Sequence, residues 1–135
     1  MTEPLRLTDE CLLPVLAELR EREPIFHRRE FGTSADQLRA QTDEQFWEVG
    51  ASGLRYSREA VVTTRAELFA SQPEPWEGGT WSTDDFCCQQ IAPDLFLLTY
   101  TLDQAGRITR RSTLWSRASG QWLIVYHQGT VVAEP

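Results

Sequence analysis

The spacing of apolar residues in the first part of the chain predicts a helix. Between Cys11 and Glu23, leucines recur at intervals of three and four residues, with charged residues between them. Proline is tolerated without a kink only in the first turn of a helix, so Pro14 favours a helix that starts near Cys11 or is bent there. Pro24 ends the helix, because the residue before a proline is pushed out of the helical region.

Two further helices are indicated by residues that cap a helix at its amino end. Ser34 and Gln37 have the spacing of a capping box, in which each side chain satisfies a backbone donor near the other. Ser57 has the position of an N-cap before a helix that ends near Ala70 and carries Glu59 in its first turn. The amino-terminal half is therefore predicted to be mainly helical.

The rest of the chain has the pattern of β-structure. Residues 43–49 alternate with period two, and four later segments are candidate strands: 84–91, 95–103, 107–117 and 121–130. Turn-forming residues separate the later strands, and residues 71–82 form a long loop that carries Trp76 and Trp81. This order predicts an α+β fold, with three helices packed on a curved antiparallel sheet.

Short turns fix an expected register for the last three strands. A turn at 105–106 sets Phe96 opposite Trp115 and Tyr100 opposite Arg111, and a turn at 119–120 sets Ser112 opposite His127. One face then holds Phe96, Leu98, Tyr100, Arg111, Trp115, Trp122, Ile124, Tyr126 and Gln128, and His127 lies on the other. Both faces are largely apolar, so we expect a homodimer through the uncovered face.

Composition narrows the class of protein. A chain of 135 residues is expected to be a single domain, residues 1–135, with a core over about 10–131. Its net charge of −7 argues against nucleic acid and anionic membrane as partners. Three cysteines and no long apolar segment favour the cytoplasm. No phosphate-binding loop or metal-ligand spacing is present in the sequence, so neither a cofactor nor a metal is expected.

Two segments resemble a known superfamily. Residues 46–61 (FWEVGASGLRYSREAV) are similar to the strand, glycine turn and helix of small NTF2-like proteins, and residues 111–130 end in R-S-T-L-W, G-Q-W and H-Q-G-T. The group they resemble most is the DUF4440 or SnoaL-like branch, over roughly residues 10–131. The resemblance implies a cone-shaped α+β fold with a pocket between the helices and the sheet, and frequent dimers. It implies no single activity.

His127 and Glu48 are the candidates for acid/base catalysis. A histidine near the mouth of the cone can transfer protons at neutral pH, or it can hydrogen-bond to Ser112 and support the sheet. Glu48 either faces the pocket, where burial would raise its pKa, or lies at a solvated edge.

The candidates for ligand binding are Trp47, Tyr100, Arg111, Trp115, Tyr126 and Gln128. Arg111 can hold an anionic group of a ligand, pair with Glu48 or Asp103, or lie at the dimer interface. The tryptophans either line a pocket or pack the core. We therefore expect a module that binds a small apolar or aromatic molecule, with an isomerase, dehydratase or cyclase as the alternative.

Overall fold

The structure is a computed structural model that describes residues 2–72 and 81–133. A short 3-10 turn, Glu10–Leu12, leads into α1 (Leu13–Arg20), whose first turn contains Pro14. The second helix, α2 (Ala35–Ala40), begins at Ser34 with both hydrogen bonds of the predicted capping box. Ser57 caps α3 (Arg58–Ser71) by accepting from the amide of Ala60. The described helices are too short and too polar to cross a membrane.

Six strands form one curved sheet, in the order β2-β1-β6-β5-β4-β3. The bounds of the strands are β1 (Thr42–Val49), β2 (Arg55–Ser57), β3 (Trp81–Ala92), β4 (Leu95–Gln104), β5 (Arg107–Ser116) and β6 (Leu123–Val131). The last four strands form the predicted antiparallel meander. Two features are absent from the sequence prediction, namely the short strand β2 and the parallel pairing of β1 with β6.

The helices cover the concave face of the sheet and form the core with it. Alternate residues of β4 are buried there, among them Phe96, Leu98 and Tyr100, and they pack with apolar residues of the helices such as Leu19 and Val62. The α+β class and the helix-covered curved sheet are therefore confirmed.

The predicted register is right for β4 and β5 and wrong for the second half of β6. Phe96 pairs with Trp115 and Tyr100 with Arg111, as expected. In β6 a bulge lies between the Trp115–Ile124 pair and the Leu114–Tyr126 pair, so His127 lies opposite Thr113 and not opposite Ser112. An extra residue in a strand exchanges the faces of all residues beyond it. His127 is consequently on the concave face, while Tyr126 and Gln128 are on the outer one.

Candidate functional site

A pocket of about 240 Å³ opens on the concave side, at the end of the sheet where β1 and β6 finish. Its lining comes from the segment after α1, from α3, from the turn after β1 and from four strands. The described lining residues are Ile25, Phe26, Glu48, Val49, Gly50, Ala51, Ser52, Tyr56, Arg65, Arg107, Arg111, His127 and Gly129. Cationic side chains outnumber the single carboxylate, so the pocket is polar and basic although the chain as a whole is acidic.

Glu48 and Arg65 lie across this pocket in mostly buried positions. Burial raises the pKa of the Glu48 carboxyl group, and the positive charges of Arg65 and Arg111 oppose that rise. Burial lowers the pKa of the Arg65 guanidinium, which the charge of Glu48 partly offsets. Within the described part of the chain, neither side chain makes a hydrogen bond or a close ion pair. Both charges are therefore available to a bound molecule.

Arg111 is held in a fixed orientation at the edge of the pocket. Its Nε donates to Thr109 Oγ1 at 3.0 Å, and its Nη1 donates to His127 Nε2 at 3.1 Å. Gly129 allows the side chain to lie close to the backbone of β6, since a Cβ there would be 3.3 Å from Arg111 Nε. Two of the five N–H groups are thus used within the protein, and the others are available to an anion.

His127 is almost completely buried, and both of its ring nitrogens are occupied. Nδ1 lies 2.8 Å from Thr113 Oγ1, and Nε2 accepts from Arg111. Burial, followed by the charge of Arg111, lowers the pKa of His127 well below its usual value. The imidazole is therefore neutral at physiological pH, and this geometry favours a role in holding Arg111 over direct proton transfer.

A buried carboxylate, Glu23, lies deeper in the cone. Its oxygens accept hydrogen bonds from the Tyr100 hydroxyl at 2.8 Å, from Trp115 Nε1 at 3.0 Å and from the Ile25 amide at 3.1 Å. Burial raises the pKa of Glu23, and hydrogen bonds from Thr113, Tyr100, Trp115 and Ile25 act in the opposite direction. Complete burial of a carboxylate is tolerated because several donors satisfy it.

The second histidine, His27, lies next to the pocket. Its Nδ1 is 2.9 Å from the carbonyl oxygen of Ile25, so this nitrogen carries the proton and donates. Burial and then the charge of Arg65 lower the pKa of His27 from 6.5 to about 4. His27 is therefore also neutral near pH 7, and the positive charge around the pocket comes from arginines.

The structure divides the predicted site residues into three groups. Three of them, Glu48, Arg111 and His127, border the pocket. Tyr100 and Trp115 are buried around Glu23 and are not among the described residues that line the pocket. The other three, Trp47, Tyr126 and Gln128, lie on the outer face. There the Trp47 and Tyr126 rings are 4.8 Å apart, and the Tyr126 hydroxyl donates to Gln128.

The long loop predicted at residues 71–82 is only partly described. Trp76 lies outside the described residues. Trp81 is the first residue of β3 and is half-buried, which corrects its assignment to the loop. The guanidinium of Arg28 stacks on its ring, 5.2 Å from the centroid. Trp81 is thus part of the sheet and packs against the core.

Sequence reasoning missed Glu23, His27, Arg65 and Arg107. A signal for Arg65 was present, because it follows Val61 by four residues and precedes Phe69 by four, and both are buried. An arginine on the apolar stripe of a helix is expected to point toward the core. No comparable local signal marks Glu23, whose side-chain partners Tyr100 and Trp115 are more than 70 residues away along the chain.

The described residues form no cluster of metal ligands, and the thiol of Cys88 is unreactive. In residues 2–72 and 81–133, no three His, Cys, Asp or Glu side chains converge as metal ligands would. Cys87 and Cys88 are both buried, and burial raises the pKa of Cys88 to about 11. That thiol is protonated at neutral pH and is a poor nucleophile.

Comparison with known proteins identifies the fold. No family model matches the sequence, and neither does any curated protein. Among solved structures, a DUF3225 protein of unknown function from Pectobacterium atrosepticum has a TM-score of 0.64 at 18% identity, over 93% of this chain and 94% of that one. An NTF2-like protein of unknown function from Pseudomonas putida has a TM-score of 0.61 at 11% identity, over 90% of this chain and 89% of that one. A proposed ketosteroid isomerase from Parabacteroides distasonis has a TM-score of 0.63 at 13% identity, over 94% of this chain and 95% of that one.

Proposed function

We propose that this chain, whose fold is NTF2-like, binds a small anionic molecule in the pocket at the mouth of its cone. The single observation that carries the proposal is the pair of arginines, Arg65 and Arg111, that face one pocket with unused N–H groups. A guanidinium taken out of water is costly unless an anion or an acceptor satisfies it. A carboxylate or a similar anionic group of a ligand would satisfy both arginines.

The size and the remaining lining of the pocket limit the ligand further. Ligand pockets for drug-sized molecules measure about 300–1,000 Å³, and this one is smaller at about 240 Å³. Ile25, Phe26 and Tyr56 supply apolar and aromatic surface beside the charged groups. A compact molecule with one anionic group and a short apolar or aromatic body fits this combination. The charged groups thus change the expectation from the sequence, from an apolar or aromatic ligand to one that also carries an anionic group.

The experiment that tests this proposal compares benzoate with benzamide, which has a similar shape but no charge. Isothermal titration calorimetry with the full chain is expected to show binding of benzoate and little or no binding of benzamide. Arg65→Gln should weaken benzoate binding about tenfold or more, because a hydrogen bond to a charged group is lost.

The matched control is Arg110→Gln. Arg110 lies on the outer face, where its Nη1 donates to Thr101 Oγ1 at 2.6 Å, so this variant removes the same charge from a different place. Its affinity for benzoate should equal that of the unmodified protein. Equal binding of benzoate and benzamide, or equal losses in the two variants, would show that the pocket does not select an anion.

A second candidate function is proton transfer, and the position of Glu48 favours it. A general base works best when its pKa is near the operating pH, and burial raises the pKa of Glu48 in that direction. The two arginines opposite would stabilise an enolate formed by removal of a proton next to a carbonyl group. We therefore keep an enzyme of the isomerase or dehydratase type, with Glu48 as the base, as the alternative.

Exchange of carbon-bound hydrogen in D₂O separates the two functions. Glu48 would remove a C3 proton of 2-oxobutyrate to give the enolate, and a deuteron would return to the same carbon. NMR is expected to show exchange faster than in buffer, and Glu48→Gln should slow it by a factor on the order of 100. Exchange at the buffer rate would eliminate catalysis on this class of substrate and leave binding alone.

A further inference from the structure

A chain of hydrogen bonds runs from Arg111 at the pocket through His127 to the buried hydroxyl of Thr113. We propose that Thr113 is a positioning residue for Arg111 and acts on it through His127. The inference rests on the proposed function, because it assigns a purpose to the orientation of an arginine that binds the ligand. It identifies a residue without access to the pocket as a determinant of anion affinity.

The direction of each hydrogen bond in this chain follows from its arginine end. A guanidinium can only donate, so His127 Nε2, 3.1 Å from Arg111 Nη1, must carry a lone pair. In a neutral imidazole the other nitrogen then carries the proton, and His127 Nδ1 donates to Thr113 Oγ1 at 2.8 Å. The hydroxyl proton of Thr113 is left free to donate to a further acceptor deeper in the cone.

Glu23 is a suitable end for such a chain because hydrogen-bond donors from several elements converge on its carboxyl group. Trp115 Nε1 and the Ile25 amide have no accepting ability, and both donate to this carboxylate. The Tyr100 hydroxyl donates as well, and burial, followed by the charge of Glu23, raises the pKa of Tyr100 well above its usual value. The hydrogen bond from Thr113 opposes the rise that burial causes in the pKa of Glu23, so this carboxyl group is an acceptor for the Thr113 hydroxyl.

This chain determines which tautomer of His127 is present, and the tautomer determines where Arg111 can lie. If the proton were on Nε2, an N–H group would face the N–H group of Arg111 and repel it. Thr113 favours the Nδ1–H form, because its hydroxyl accepts from Nδ1, and this form accepts from Arg111 and holds it. A guanidinium that is already oriented loses less conformational entropy when an anion binds.

The proposal is tested first in the ligand-free protein. Long-range ¹H–¹⁵N NMR of histidine-labelled protein at pH 7 is expected to show His127 as a single neutral Nδ1–H tautomer. Thr113→Val removes the hydroxyl and should give a mixture of tautomers and faster solvent exchange of the Arg111 Nε–H. Thr113→Ser restores the hydroxyl and should restore both signals.

Benzoate affinity is then measured for the same variants. Thr113→Val should weaken binding about tenfold, and Thr113→Ser should stay within about twofold of the unmodified protein. The matched control is Thr42→Val, which removes a buried threonine hydroxyl that donates to the Arg39 carbonyl at 2.7 Å, far from the pocket. This control should lower the melting temperature and leave benzoate affinity unchanged.

The outcomes separate the positioning role from the proposed function. Failure of the unmodified protein to bind benzoate would overturn the proposed function, while the tautomer and exchange signals would still decide whether the chain orients Arg111. A His127 found as the Nε2–H tautomer would overturn the positioning role. So would a Thr113→Val variant that keeps its Arg111 signal and its affinity.

Discussion

Acidification should destabilise the protein through His27, and the replacement His27→Asn should remove that part of the effect. His27 is packed among positive charges, and its pKa in the folded protein is lowered from 6.5 to about 4. Above pH 6.5 the imidazole is neutral in both the folded and the unfolded state. Between 6.5 and about 4 the unfolded chain takes up a proton that the folded protein does not, so the free energy of unfolding falls as the pH falls.

The size of the effect follows from the shift in the pKa. Each pKa unit is worth about 1.4 kcal/mol, so the full shift of His27 corresponds to about 3 kcal/mol, of which about 2 kcal/mol is lost between pH 7 and pH 5. His127 acts in the same direction, because its pKa is also lowered by burial. The unmodified protein and His27→Asn both retain His127, so its contribution is common to the two.

The assay is urea denaturation of the unmodified protein and of His27→Asn at pH 7 and pH 5. The asparagine side chain can still donate to the Ile25 carbonyl, which accepts from His27 Nδ1 in the structure. The loss in free energy of unfolding between pH 7 and pH 5 is compared between the two proteins, so the effects of other titrating groups cancel. The unmodified protein should lose about 2 kcal/mol more than the variant. Equal losses of stability in both proteins would refute a desolvated, neutral His27. An NMR titration should place its midpoint near pH 4.

Two further predictions concern the edge of the pocket and the outer face. Gly129→Ala should weaken benzoate binding about tenfold, because the new Cβ would lie 3.3 Å from Arg111 Nε and displace the guanidinium. Calorimetry measures this change, and unchanged affinity would show that the Arg111 position is not critical. The outer face carries half-buried leucines and the exposed Trp47, so we expect a homodimer that Leu114→Glu dissociates. Light scattering at micromolar concentration tests this, and a monomeric unmodified protein would contradict it.

The elements that the sequence predicted well are those whose signals are local. The capping box at Ser34 and the N-cap at Ser57 involve residues only three positions apart, and both form as expected. The turn at Ala105 and Gly106 has positive φ at both residues, which matches the twist of a two-residue hairpin. That turn fixed the register of β4 and β5, and with it the positions of Tyr100 and Arg111.

The pocket could be predicted only in part, because its residues meet through tertiary contacts. Arg111, Glu48 and His127 were candidates from their chemistry alone, but one bulge in β6 decided that His127 faces the helices. Alternation along a strand carries no record of such an extra residue, and every side chain beyond it changes face. Glu23 is the extreme case, since the Tyr100 and Trp115 groups that make its burial tolerable come from distant strands. The sequence thus determined the fold class and the local elements, whereas the packing of α1, α3 and the sheet decided which charges share a pocket.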